Sequence, residues 1–513
     1  MMRRTRWAPL AAAGLVLSAV VAGAPAGAAP STGRLVNPIA QVQNLLVSQE
    51  REAQFDTPAM LAAVAKSTAQ YQVERAKIDS GRHPNPNTCT TIVLCLPDPR
   101  LANWADEGGI VDPVLYTARS GATLSGHIWA TKAGPATRPA ILFINGSIIG
   151  YEQGWWYIAQ ALARAGFVVM TFDVQGEGMS DQFGQAPDQL EGAFAGTPAL
   201  GLSQQLGGSG IPFFEGGEDS LDFLLSTPDH PYVPVPSFTS GTSHAAKQTA
   251  RVEAGLDPAY DPLWSMIDPT EVGVSGHSYG AEATSWLTQS DPRVKAGVAM
   301  DTLCLPASPV PTEVVGLLTS PTNATGLFGL PRDCFGAPPG PPPAITKPVL
   351  GLSSDYLLFP EPYVVAPDPE AKNQASLTYS QDGVDSGEII VRGGTHYEYG
   401  DVPTGLFPAS KRGIDMATWY TVAWFQKYLQ HDPAADALLL TKRWQDDGDG
   451  AKVDPAHNAN DYSYLYNSRL DITRADGGTF DCESLATGCA GQTTASTDGG
   501  PADYSYLSVD TGN

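Results

Sequence analysis

A serine hydroxyl attacks a carbonyl only when a base in contact takes its proton, and that base needs an acid to orient it. The stretch Glu271-Val272-Gly273-Val274-Ser275-Gly276-His277-Ser278-Tyr279-Gly280-Ala281 suits the first role. Ser278 stands between Gly276 and Gly280, a short apolar run precedes it, and the helix-like Glu282-Ala283-Thr284-Ser285-Trp286-Leu287 follows. Glycines at both flanking positions permit a sharp turn in which side chains would meet neighbouring backbone. Such a turn lifts the serine above a sheet and aims a helix N-terminus at the chemistry.

The partners must come from loops at the carboxyl ends of strands in the same sheet. Asp355 follows the apolar run Pro348–Leu352, and His396 follows Glu388–Val391 through Arg392-Gly393-Gly394-Thr395. Chain order is then Ser278, Asp355, His396, with the histidine as base and Asp355 as its acid. Asp301 ends the intervening run Val294–Met300 and is the alternative acid. The tetrahedral intermediate needs two amide donors. Tyr279 supplies one, and Ser147, after Pro139–Asn145, the other, with Ile148 as its neighbouring alternative. His127 lies in a strand and reads as a packed residue, and His277 is expected to point away from Ser278.

These positions require alternating strands and helices. Val114–Ala118 and Thr123–Ala130 read as a hairpin around Arg119-Ser120-Gly121. Pro139–Asn145 and Phe167–Asp173 are continuous apolar runs, as in strands buried on both faces. Helices are expected over residues 155–165, 214–225 and 416–429, and Asp173 is expected to hold the turn Gln175–Ser180. That turn lacks the third glycine of a dinucleotide fingerprint. The segments 182–262 and 302–347 read as insertions, the second as a lid over a site.

The chain has 513 residues and a formal net charge of −24. Arg3, Arg4 and Arg6, an apolar core from Leu10 to Ala22, and Ala26-Gly27-Ala28 make residues 1–29 a secretory leader. Removing its three arginines takes −24 to about −27, which disfavours nucleic acid and anionic membranes as partners. No later run is long enough to span a bilayer. The six cysteines fit an oxidising compartment. Pairing neighbours is simplest: Cys89 with Cys95, Cys304 with Cys334, Cys482 with Cys489. From about residue 445 the chain is acidic, and Asp461-Tyr462-Ser463-Tyr464-Leu465 recurs as Asp503-Tyr504-Ser505-Tyr506-Leu507. Asp446-Asp447-Gly448-Asp449-Gly450 resembles a calcium loop, but Ala451 stands where an acid is needed and no glutamate closes it, so no metal is expected.

Phe143-Ile144-Asn145-Gly146-Ser147, Asp173–Ser180, Gly276–Gly280, Ser353-Ser354-Asp355 and Gly394-Thr395-His396 together resemble the α/β-hydrolase superfamily, in its branch of secreted esterases, lipases and dienelactone-hydrolase-like proteins. Where that family often has His-Gly and Arg, this chain has Asn145-Gly146 and Gln175. The resemblance implies an α/β-hydrolase fold: a mostly parallel central sheet with helices on both faces. It spans a catalytic domain at 111–440, between an N-terminal helical segment at 30–110 and an acidic, β-rich extension at 441–513. It implies a secreted serine hydrolase that cleaves small-molecule, lipid or polymeric esters without a cofactor. Two rivals remain: a peptidase of the prolyl-oligopeptidase type, although no propeller repeat is visible, and a non-catalytic hydrolase-fold binding protein using its tyrosine-rich tail.

Overall fold

The computed structural model describes residue 104 and residues 108–147, 151–181, 210–237, 240–301, 303–306, 333–334, 337, 341–356, 367–400, 411–446, 460–463 and 465–493. The leader, most of the segment 30–110 with Cys89 and Cys95, residues 182–209, most of 302–347 and the tyrosine repeat at 503–507 lie outside the described residues.

Gly109–Thr117 (β1) and Thr123–Thr131 (β2) form the expected antiparallel hairpin. Arg138–Ile144 (β3) leads through a 3-10 turn at Glu152–Trp155 into the helix Trp156–Arg164 (α1). That helix stops at Gly166, whose φ of 94° suits a residue without Cβ. Val168–Asp173 (β4), Ile211–Leu224 (α2) and Ala245–Glu253 (α3) precede Ile267–His277 (β5), and Tyr279–Ser290 (α4) follows at once. Then come Val294–Met300 (β6), Val349–Ser354 (β7), Gln374–Gln381 (α5), Ser386–Val391 (β8), Lys411–Leu429 (α6), Ala435–Leu439 (α7), Arg469–Thr473 (β9) and Thr479–Cys482 (β10).

The strands make one sheet in the order β1-β2-β4-β3-β5-β6-β7-β8-β9-β10. Its centre, β4 to β8, is parallel, and both edges are antiparallel. The class is therefore α/β with a mixed, mostly parallel sheet. Period-two alternation sorts side chains to two layers. Ala140, Leu142 and Ile144 of β3 pack with α2 and α4, whereas Ile141 and Phe143 pack with α1 and α6. The carboxyl ends of the adjacent strands β5, β6, β7 and β8 line one edge, where Ser278, Asp301, Asp355 and His396 follow.

The insertion 182–262 contains α3, pinned to β1 where Thr117 N donates to Gln248 Oε1 at 2.8 Å. Within the β-rich extension, residues 460–493 supply β9 and β10 of the same sheet, and Tyr462 bridges to Val391 of β8. Cys304–Cys334 and Cys482–Cys489 are bonded as expected. Among the described residues no helix is long and apolar enough to cross a membrane.

One acid sits inside the sheet. Glu388 of β8 lies over Gly351 of β7, where a Cβ would come within 2.7 Å of its Cδ. Ser353 Oγ hydrogen-bonds Oε1, and Oε2 has no partner among the described residues. Burial is the main cause raising its pKa to about 8, with Asp301 adding repulsion and Ser353 opposing. The folded protein thus holds a proton that the unfolded chain releases near 4.5. Between those values stability falls as pH rises, by at most about 1.4 kcal/mol per pH unit. Glu388→Gln, which mimics the neutral acid, is expected to flatten this slope. Denaturant melts from pH 5 to 8 test it, and an unchanged slope would refute the assignment.

Candidate functional site

Strand β5 ends in Gly276-His277, and the backbone reverses at Ser278 with φ 57° and ψ −123° before α4 begins. This conformation is strained for a residue with a side chain. Ser278, Asp301 and His431 are the non-glycine residues of positive φ among those described. The turn is closely confined. A Cβ on Gly276 would meet Gly280 O of the turn itself and lie 2.7 Å from Ile144 O, and one on Gly280 would meet Ile144 O and come within 2.6 Å of Asn145 O. Gly280 is therefore required by the close approach of β3, and Gly276 by that approach together with the turn's own backbone. Ser278 N donates to Met300 O of β6 at 2.9 Å, which ties the turn to the other side as well.

His396 is brought to this turn from β8. Its Nδ1 lies 2.7 Å from Asp301 Oδ2. Burial pushes the Asp301 carboxyl up, but the bond and charge of His396, with Lys372 and His277, outweigh it and hold it below the usual range. Asp301 is then an ionised acceptor, and His396 Nδ1–H donates to it. Asp301 has a φ of 41°, a second strained residue at the same edge. Among the described hydrogen bonds none joins Ser278 to His396. Such bonds commonly tighten only with substrate in place.

Asp355, expected as the acid, is not the partner of His396. Its Oδ2 accepts Gly393 N at 2.7 Å, and Oδ1 accepts Ser463 Oγ. Burial raises its pKa, against Ser463, Gly393, Lys372 and Arg392. The acid that meets the imidazole is the alternative, one strand nearer the serine. The reason is the path of the loop 392–396, which carries the ring across β7 to β6.

His277, expected to point away from Ser278, packs against His396. Its ring lies between Trp155, at 4.8 Å between centroids, and His396, at 4.5 Å. Its Nε2 is 2.7 Å from His396 O. Burial, then the charge of His396, depress its pKa to about 3, so the ring is neutral and Nε2–H donates to that carbonyl. The chain neighbour of Ser278 thus holds the backbone of His396. Trp155, which ends the 3-10 turn, and Lys372, whose charge acts on Asp301, Asp355 and Glu388, gave no sequence signal.

Tyr279, one of the two expected amide donors, opens α4 directly after Ser278. Gly146, which precedes the other, Ser147, presses on Ser278, since a Cβ there would be 2.8 Å from Ser278 Cβ and from His277 Nδ1. Ser147 follows, and its Oγ donates to Glu177 Oε1 at 2.9 Å. Glu177 sits in the turn that Asp173 organises, where Asp173 Oδ2 accepts Met179 N at 2.6 Å. His127 is a packed residue, with Nδ1 2.6 Å from Glu152 Oε1. A small hollow is lined by Ser147, Tyr151, Trp155, His277 and Tyr397. Its walls are the chain neighbours of Ser278 and His396, not those two residues themselves.

No family model matches the chain, and no curated protein matches it. Geometry and chemistry alone therefore carry the functional reading. Because Gly280 faces backbone on two sides, Gly280→Ala is expected to destabilise the fold by about 3 kcal/mol or more. Chemical denaturation tests this, and a change below about 1 kcal/mol would show that the elbow tolerates a side chain.

Proposed function

We propose that this chain is a serine hydrolase of the α/β-hydrolase type that cleaves carboxylic esters. The observation that carries the reading is the His396–Asp301 hydrogen bond at 2.7 Å, beside a serine on a strained strand-to-helix turn. The parallel sheet centre with helices on both faces supports the α/β-hydrolase frame, and chain order Ser, Asp, His is that of such enzymes, with Asp301 in the acid's place. The two disulfides support an exported protein.

In this cycle Ser278 Oγ bonds to the ester carbonyl carbon, and its proton passes to His396 Nε2. Asp301 keeps Nδ1–H fixed and stabilises the imidazolium. The amides of Tyr279 and Ser147 receive the developing oxyanion. His396 then gives the proton to the leaving alcohol oxygen as the C–O bond breaks. Water, deprotonated by the same nitrogen, attacks the acyl-serine and releases the acid. These steps call for no metal or organic cofactor.

Purified protein is expected to hydrolyse p-nitrophenyl esters and to be labelled by an active-serine phosphonate. Ser278→Ala should abolish both, with a loss in kcat of about 10⁶-fold. Asp301→Asn should lower kcat by about 10⁴-fold through the wrong imidazole tautomer. Ester turnover that survives Ser278→Ala, or equal turnover of aminoacyl anilides, would overturn the esterase reading.

A further inference from the structure

The catalytic reading leaves Asp355 without a chemical role, although it is buried at the edge where the proposed nucleophile, base and acid meet. Both of its oxygens face donors. Oδ2 accepts the backbone N–H of Gly393, three residues before the base, at 2.7 Å. Oδ1 accepts the hydroxyl of Ser463. The direction of that second bond follows from chemistry. Ser463 Oγ already accepts Leu465 N and Tyr466 N, each at 2.9 Å, so both lone pairs are used and its proton must be donated outward.

Ser463 belongs to the C-terminal segment, and that segment grips the same loop elsewhere. Arg392 N donates to Asp461 O at 2.9 Å, and Ser463 N donates to Ile390 O at 2.8 Å. Arg392 Nη1 reaches Asn460 O at 2.7 Å. The loop 392–396 therefore lies between Asp355 at the end of β7 and residues 460–463. Gly393, at φ 68°, turns the chain there, and Tyr356 N bonds Gly394 O at 3.0 Å. From this turn His396 must reach Asp301, two strands away, to within hydrogen-bond distance.

We propose that Asp355 and Ser463 form a latch that sets the position of the general base, which makes the C-terminal segment part of the catalytic machinery. This rests on the proposed esterase reading only for the word base; the positioning of the His396 ring stands apart from it. Asp355 is here a positioning residue acting through Gly393. An asparagine cannot replace it, because two donors face its two oxygens and an amide offers only one acceptor.

The test uses the full-length chain with Ser463→Ala, Asp355→Asn and the double variant. Active sites are titrated with the phosphonate, so that loss of folded protein does not count as loss of rate. Each single variant is expected to lower kcat per titrated site by about 10- to 100-fold with KM little changed. The double variant should be no worse than the poorer single one, because both break the same latch. In ¹⁵N-histidine NMR spectra, the downfield Nδ1–H resonance of His396, assigned by its loss in Asp301→Asn, should broaden or vanish in both. An unchanged resonance and an unchanged kcat per site in both single variants would overturn the latch. Additive losses in the double variant would also overturn it. A wild type without ester turnover whose His396 resonance still depends on Ser463 would sink the esterase reading and leave the latch standing.

Discussion

The contact on which the rest of the site depends is the approach of the β3 backbone to the turn at Ser278. Ile144 O and Asn145 O occupy the space that side chains at 276 and 280 would need. That contact leaves no room for side chains at 276 and 280, and Gly146 lies against Ser278 Cβ. Strain such as that at Ser278 persists only where the surroundings over-determine it. Here they do so through β3 on one side and through the bond from Ser278 N to Met300 O on the other.

The second half of the site is electrostatic. Asp301, Asp355 and Glu388 are all buried at or beneath one sheet edge, with Lys372 acting on each. Burial raises all three carboxyls, and their hydrogen bonds decide which ends up ionised. Asp301 has an imidazole partner and is held low. Glu388 has one serine hydroxyl and an oxygen without a partner among the described residues, and it keeps its proton. Two buried carboxyls, one after β6 and one in β8, thus become an acid suited to orienting a histidine and an acid that behaves as a neutral packing group. Neutral His277 extends the same logic, since a charge there would oppose the imidazolium expected on His396.

Much of the frame was legible because its signals are local. Two glycines around Ser278, apolar runs at 139–145 and 167–173, and glycines at 121 and 166 each describe a few consecutive residues whose conformations depend on near neighbours. The helix Ala245–Glu253 was hidden because it buries one residue, Gln248, and so carries no apolar stripe. The segment 460–493 read as a β-rich extension, but nothing local showed that its two short strands extend the main sheet, since a strand's pairing partner lies far away in the chain.

By itself the sequence singled out Ser278 and His396 and the order in which they occur, since each sits where a strand must end and a turn must be tight. It favoured Asp355 over Asp301 as the partner of His396, whereas the imidazole meets Asp301. Both follow apolar strands, both precede His396, and their strands are neighbours, so they differ by a single strand spacing of about 4.8 Å. Only the tertiary structure decided, because the choice depends on how far the loop 392–396 carries its ring. That reach is set by contacts far away in the chain: Gly393 on Asp355, Asp355 on Ser463, and His277 on the carbonyl of His396.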